Sequence, residues 1–330
     1  MKSSLKAPAH WFSQNILAWC LLPLSLLYCA ISASRRAVYA CGLLSPRRGR
    51  KPLIVVGNIA VGGTGKSPLL IALCERLQRE GLRVGVVSRG YGSDIVGPCI
   101  VSEGDDASAV GDEPLMIIRR TRCPFVIAAA RADAVAMLEE HADIDIVLSD
   151  DGLQHYAMHR DLEIAVVDAS WMHGNGFCLP SGPLREPVSR LASVDHVILN
   201  NTALEDRSGP GFRLEIVTCR NLFTGETREL EDLAGREVHA VAGIGSPSRF
   251  FDQLQASGLR VIPHPYEDHH AFDGTELEFE DDLPVLITEK DAVKCQGSDN
   301  LNVWVVVVDA VLDEHTEQDL MASIKRLTDG

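Results

Sequence analysis

The stretch LIVVGNIAVGGTGKSPLLIALCERL, residues 53–77, restricts the fold more than any other part of the chain. LIVVG (53–57) is a short continuous apolar run with no alternation, the pattern of a strand buried on both faces and hence of a parallel sheet. Leu69, Leu70, Leu73 and Leu77 then recur at helical spacing. A strand that runs through a glycine-rich loop into a helix is the setting of a phosphate-binding loop. Backbone N–H groups from Ala60, Val61, Gly62, Gly63, Thr64 and Gly65, with the helix N-terminus, would cradle phosphates; Lys66 would reach the outer ones and Ser67 a Mg²⁺ ion. Ala60 stands where the motif usually has its first glycine, and alanine serves there if φ stays negative. Pro68 falls in the first helical turn, where its missing N–H costs little.

A phosphate loop needs a metal-ordering carboxylate at the end of a neighbouring strand. IDIVLSDDGLQH (144–155) supplies Asp150 and Asp151 where a strand would emerge. Adjacent carboxylates at a strand end repel unless a cation or partner offsets them, so the pair points to Mg²⁺, with a solvated turn as the alternative. Further strand-like runs at 83–88, 124–129, 163–168 and 196–200 alternate with helical stretches near 113–121 and 131–141. This order predicts an α/β fold, a P-loop NTPase-type parallel sheet flanked by helices. Residues 201–235 carry little apolar periodicity and are expected to hold a boundary. A second, smaller α/β lobe follows, with strands at 237–243, 259–263, 284–288 and 303–308 and helices near 247–257 and 314–327. GIGSPS (243–248) resembles a dinucleotide fingerprint only weakly and is read as a tight turn into a helix.

The apolar run ILAWCLLPLSLLYCAISA (16–33) is at the lower edge of the length that spans a bilayer. It runs into Arg35 and Arg36 instead of a small-residue cleavage site, against a signal peptide; a core helix is the other reading. Trp11, Phe12, Trp19 and Tyr28 around it favour a membrane interface. The net charge of −15 speaks against nucleic acid, yet no acidic residue precedes Glu75, and Lys2, Lys6, Arg35, Arg36, Arg47, Arg48, Arg50 and Lys51 crowd this end. That asymmetry points to an anionic lipid surface. The expected organisation is a membrane-associated anchor helix (1–35), a phosphate-loop core (36–220) and a smaller α/β lobe (221–330), with the body cytoplasmic. Nine cysteines without metal-type spacing fit a reducing compartment and are assigned no chemistry.

Eight ordered motifs carry a specific resemblance: GNIAVGGTGKSP, SRGYG (88–92), VGDEP (110–114), SDDGLQH (149–155), LPSGPLREP (179–187), GIGSPSRFF (243–251), YEDHHAF (266–272) and ITEKDAVK (287–294). Over most of its length the chain resembles the lipid A 4′-kinase (tetraacyldisaccharide 4′-kinase) family. The resemblance implies transfer of the ATP γ-phosphate to the 4′-hydroxyl of a tetraacyl glucosamine disaccharide 1-phosphate, at the cytoplasmic face of the bacterial inner membrane. It implies no obligate protein partner. It also implies Asp112 as the base, assisted by His269; the residues alone leave Asp112 as a helix cap or first-turn acid. His269 and His270, with Asp268 and His264, are also readable as a metal cluster, though their spacing is poor, and the resemblance alone selects His269. Arg185 is implied as a phosphate contact and Glu186 as a ligand of Mg²⁺ or its waters. Arg89 is a candidate phosphate or substrate contact, with a surface arginine beside a glycine turn as the alternative. Gln154 and His155 stand close enough to the acidic pair to order the same site. For Glu289, Lys290 and Asp291, nucleotide contact and a structural ion network both stay open, with a lean to the nucleotide.

Two other functions fit parts of the pattern. A membrane-associated ATPase or GTPase switch would turn over nucleotide without a lipid acceptor, but TEKD (288–291) has Glu289 where guanine reading needs asparagine. A non-catalytic nucleotide-binding scaffold would need no base beside the γ-phosphate.

Overall fold

The computed structural model describes residues 8–91, 95, 97–202, 209–295 and 300–328. Lys2 and Lys6 of the basic end, Gly92 of SRGYG and part of the expected boundary, residues 203–208, lie outside them. Among the described residues thirteen strands make one sheet: β1 (Leu53–Gly57), β2 (Val84–Ser88), β3 (Cys99–Val101), β4 (Phe125–Ile127), β5 (Ile146–Asp150), β6 (Leu162–Asp168), β7 (His196–Asn200), β8 (Phe212–Asn221), β9 (Thr227–Arg228), β10 (Glu237–Ala242), β11 (Arg260–Pro265), β12 (Val285–Thr288) and β13 (Val303–Leu312). Their order is β11-β10-β12-β13-β8-β7-β6-β1-β5-β2-β4-β3, with β9 beside β8.

The strand LIVVG is buried at all five positions, as its unbroken apolar run requires. It runs parallel to β5 on one side and β6 on the other, and Val56 lies opposite Asp150. That register brings the acidic pair level with the start of the phosphate loop. Helices α1 (Ile16–Ala40), α2 (Lys66–Arg79), α3 (Ala107–Val110), α4 (Asp112–Thr121) and α5 (Arg131–His141) accompany the first half of the chain. Helices α6 (Pro247–Ala256), α7 (Glu289–Ala292) and α8 (Glu314–Thr328) accompany the second. One face of the nucleotide half packs α2 and α4 over Ile54, Val56, Ile146 and Leu148. The other packs α5 over Val55, Val87 and Val147.

Two features differ from the expected organisation. The segment read as a boundary contains β8, which pairs antiparallel with β13 from Trp304↔Asn221 to Leu312↔Phe212. Arg213, Glu215 and Arg220 interrupt its apolar residues, and most of the strand is only partly buried, which hides it from a search for apolar periodicity. β8 also meets β7 at Asn200↔Phe212, so the sheet is continuous across both halves. In addition, α8 turns back: Leu320, Met321 and Ile324 join the core of the nucleotide half, not that of the smaller lobe. The smaller lobe keeps two cores of its own, one under α6 and one around Phe272, Leu277 and Val305.

Helix α1 is long and apolar enough to cross a membrane, with only 11% of its most apolar window buried. Asn15 caps it by accepting from Ala18 N, and it runs on through Pro23. Its buried side is fastened to the loop at 175–184: Ser25 Oγ donates to Cys178 O (2.8 Å), Ser181 Oγ donates to Ala18 O (2.6 Å), and Trp19 packs edge-on to Phe177. Leu17, Leu24, Leu26, Leu27 and Ile31 are exposed. Arg47, Arg48 and Arg50 each hold a carboxylate of the protein, Asp133, Asp161 and Glu139, so much of the basic charge at this end is offset within the chain.

Because Ile54 is fully buried in a central strand, Ile54→Ala is expected to cost about 2–5 kcal/mol of unfolding free energy. Val217→Ala, on the more exposed β8, should stay within about 0.5 kcal/mol. Urea unfolding of the two variants in detergent tests this contrast, and equal losses would mean that the core is not centred on β1.

Candidate active site

The loop after β1 closes on itself and on its neighbours. Asn58 Nδ2 donates to Thr64 Oγ1 (3.2 Å), Val61 N to Pro183 O (2.8 Å) and Arg185 N to Ile59 O (2.7 Å). Gly65 has φ +90°, and a Cβ there would meet Asn200 Nδ2 at 2.6 Å, so both backbone and space demand glycine. Asn200, from the end of β7, donates to Thr64 O (3.1 Å) and pins the loop from the other side. Ala60 is buried and is not among the positive-φ residues, so it needs no left-handed backbone. Ser67 follows Lys66 into the first turn of α2.

The acidic pair stands directly beside this loop. Lys66 Nζ lies 3.8 Å from Asp151 Oδ1, and Arg185 Nη1 donates to Asp151 Oδ2 (2.7 Å). Asp151 has φ +48°, and a Cβ on Gly152 would meet Ser149 Oγ at 2.6 Å, so the turn is tightly constrained. The two carboxylates are held in different states. Burial raises Asp150 to about 7, with Glu113 and Asp151 adding to the rise against Lys66 and Arg131. Burial also raises Asp151, but Lys66, Arg185 and Arg131 outweigh it and hold the group at about 2. Asp150 Oδ1, Asp151 Oδ1 and Ser149 Oγ are buried without a hydrogen-bond partner. Such an oxygen-only set beside a phosphate loop fits a hard divalent cation.

Glu186 has other company. It accepts from Gln154 Nε2 (2.9 Å) on one oxygen and from the Tyr156 hydroxyl on the other, with Arg190 Nε at 3.8 Å. Gln154 also donates to Asn58 O (3.0 Å), so it ties Glu186, which the resemblance implied as a metal ligand, to the start of the phosphate loop. His155 accepts from Arg131 Nη1 at 2.8 Å; burial, then the charges of Arg131 and Arg89, push it down to about 3, so the ring is neutral. Arg131 was not singled out from the sequence, where it reads as an ordinary helix-start charge. It is buried, with burial lowering it to about 10, and it donates to Asp151 O (3.1 Å). Arg89 is exposed at the end of β2, near enough to Arg131 and His155 for its charge to lower both.

From the smaller lobe, His269 reaches the start of α4. Its Nδ1 lies 2.9 Å from Asp112 Oδ2 and 3.2 Å from Oδ1, and its backbone has φ +61°. Burial raises the Asp112 carboxyl, but the hydrogen bond from His269 and the Lys290 charge win and hold it below its usual range. His269 is raised, chiefly by the bond to Asp112. His270 turns to Glu276 (2.7 Å), and His264 to His239 (2.9 Å). Those histidines therefore do not gather into a metal cluster, and no group of three or more metal-type ligands occurs among the described residues.

The residues of ITEKD separate. Glu289 accepts from Arg120 Nη1 on both oxygens (2.9 Å), and Asp291 accepts from Gly243 N (3.0 Å) and pairs with Lys294 (2.7 Å). Both are held in an ion network within the protein. Lys290 alone faces the site, 3.0 Å from Asp268 and 3.9 Å from Asp112.

The raised Asp150 gives a pH signature. From about 4, where an unfolded carboxyl titrates, up to about 7 the native state holds a proton that the unfolded chain has lost, so stability falls as pH rises through that window. Asp150→Asn is therefore expected to raise the melting temperature of the ligand-free protein at pH 8, with the gain vanishing towards pH 4. Differential scanning fluorimetry across that range checks it; a gain that grows on acidification would be the wrong sign.

A model of the tetraacyldisaccharide-1-P 4′-kinase family matches residues 17–325. The chain is 46% identical to a tetraacyldisaccharide 4′-kinase of Pseudomonas aeruginosa over 94% of both chains, and 43% identical to one of Hahella chejuensis over 96% of both. Among solved structures, LpxK from Aquifex aeolicus, an "apo" form in complex with ATP, matches with a TM-score of 0.82 at 30% identity, covering 95% of this chain and all of that one.

Proposed function

The chain belongs to the tetraacyldisaccharide 4′-kinase family and transfers the ATP γ-phosphate to a lipid A precursor, and on that premise we propose that Asp112 is the base that receives the acceptor hydroxyl's proton. The contact that carries this reading is the pair His269 Nδ1–Asp112 Oδ2, made between the start of α4 and the smaller lobe. Asp112 accepts the proton as the 4′-oxygen forms its bond to the γ-phosphorus; the bond from that phosphorus to the β–γ bridging oxygen breaks, and ADP leaves with the electron pair. His269 holds the carboxylate in place and supports its negative charge until the proton arrives. A carboxylate held below its usual pKa stays ionised at neutral pH, which a base requires.

The backbone of residues 60–65 and Lys66 cradle the phosphates, and Arg185 beside Asp151 adds charge on the outer side. Ser67, Asp150 and Asp151 are the residues that would hold Mg²⁺, which when bound neutralises charge on the phosphate oxygens. Glu186, Gln154, Asn58 and Asn200 keep the loop in shape and meet the nucleotide only through it.

The lipid acceptor places the enzyme at the cytoplasmic face of the bacterial inner membrane in this reading, with the exposed face of α1 in the lipid and Arg35 and Arg36 at its headgroups. The exposed leucines on that helix, and a most apolar stretch with a mean hydropathy of 2.0, support this.

With labelled ATP and a tetraacyl disaccharide 1-phosphate in detergent, the wild-type protein should label the lipid. Asp112→Asn should lower kcat by about 10²–10⁴-fold with little change in KM for ATP. Unchanged turnover would remove Asp112 from the base role. The double change Leu24→Glu with Leu27→Glu alters only exposed positions of α1 and should abolish sedimentation with vesicles while leaving the melting temperature in place. Sedimentation unaffected by it would remove α1 from the lipid.

A further inference from the structure

We propose that Lys290 is a positioning residue of the phosphoryl-transfer site, holding Asp112 ionised and keeping His269 turned to Asp112 instead of Asp268. The proposal rests on the reading of Asp112 as the base. Three carboxylates crowd this corner: Asp112 and Glu113 at the start of α4, and Asp268 just before His269. Lys290 Nζ is within ion-pair distance of all three, at 3.9, 3.7 and 3.0 Å respectively. Lys294, just past α7, also lowers Asp112 from a greater distance. A triple negative cluster that must also face the phosphates of ATP would drive protons onto its members, and a base that is already protonated accepts nothing.

The second part of the argument concerns His269, which stands between two carboxylates. Nδ1 is 2.9 Å from Asp112 Oδ2, while Nε2 is 3.8 Å from Asp268 Oδ2. Lys290 Nζ donates to Asp268 Oδ1 at 3.0 Å, so Asp268 already has a strong partner and the imidazole bonds to Asp112. The lysine is rigidly presented. α7 is one turn, capped by Thr288, whose Oγ1 accepts from Asp291 N, and tied to α4 through the Glu289–Arg120 pair. The neighbouring Glu289–Arg120 pair also links α7 to α4, so removing the Lys290 charge need not separate the helices.

The test compares full-length wild type, Lys290→Met and Lys290→Arg in detergent, each labelled with ¹⁵N at histidine. Lys290 disfavours a second positive charge on His269 and favours the Asp112 carboxylate, so its loss should raise both pKa values. The His269 titration is expected to move up by about one unit in Lys290→Met and to return in Lys290→Arg. The acid limb of kcat/KM should move the same way, with kcat down about tenfold and KM for ATP within about twofold. An unmoved His269 titration overturns the proposal, as does a moved titration with kcat intact. If Lys290→Met does not fold, Lys290→Gln carries the same measurements. Full turnover in Asp112→Asn would fail the base reading; an unmoved titration with Asp112→Asn inactive fails the Lys290 proposal alone.

Discussion

The antiparallel pairing of β8 with β13 makes one site out of two halves. β8 leaves the nucleotide half beside β7, and β13 is the strand from which the smaller lobe's parallel set β12-β10-β11 extends. Because β13 also leads into α8, whose apolar face packs into the nucleotide half's core, the two halves share hydrogen bonds and buried apolar surface. A further tie crosses from α6: Arg249 pairs with Asp168 at the end of β6 and donates to Ser170 Oγ (2.6 Å). Without these ties His269 and Lys290 would have no fixed relation to α4, since the loop that carries His269 follows the edge strand β11.

Charge in the site is sorted by burial and by which cation reaches which carboxylate. Asp150 and Asp151 are adjacent in sequence, yet Lys66 and Arg185 reach Asp151 while Asp150 lies in the buried strand end facing Glu113's field. Asp112 is nearly as buried, yet it has His269 and Lys290. One carboxyl is thus left with a high affinity for a proton or a cation, while two others stay ionised.

Much of this architecture was legible in the chain. The strands from LIVVG to VWVVVV follow from unbroken apolar runs, and the loop from its glycines and the Lys66–Ser67 pair. Helical periodicity gave α4, α5, α6 and α8. β8 escaped because a half-exposed antiparallel strand with charges on its wet face has no apolar run to find. The short edge strand β3 escaped with it, being three residues long. Within the site, Asn200 and Arg131 act through contacts with residues far from them in sequence, and nothing in their local pattern marks them. The meeting of Asp112 with His269 came to notice only through family resemblance, since 157 positions separate them. Glu186 shows the converse: a motif draws attention to a residue, but its partners Gln154 and Tyr156 say what its oxygens do.

The attachment of α1 has a mechanical side. Its fastenings, Ser25 to Cys178 and Ala18 to Ser181, fall two turns apart on one stripe of the helix, and the loop they grip continues directly into Leu184, Arg185 and Glu186. A helix gripped at two heights can neither slide along its axis nor spin about it without dragging that loop. The angle at which α1 lies therefore fixes the height and tilt of the phosphate site above whatever surface receives the helix, as a keel fixes the trim of a hull. An acceptor carried on that surface meets the nucleotide at a set elevation, so the reach of its headgroup becomes a dimension on which this enzyme can select.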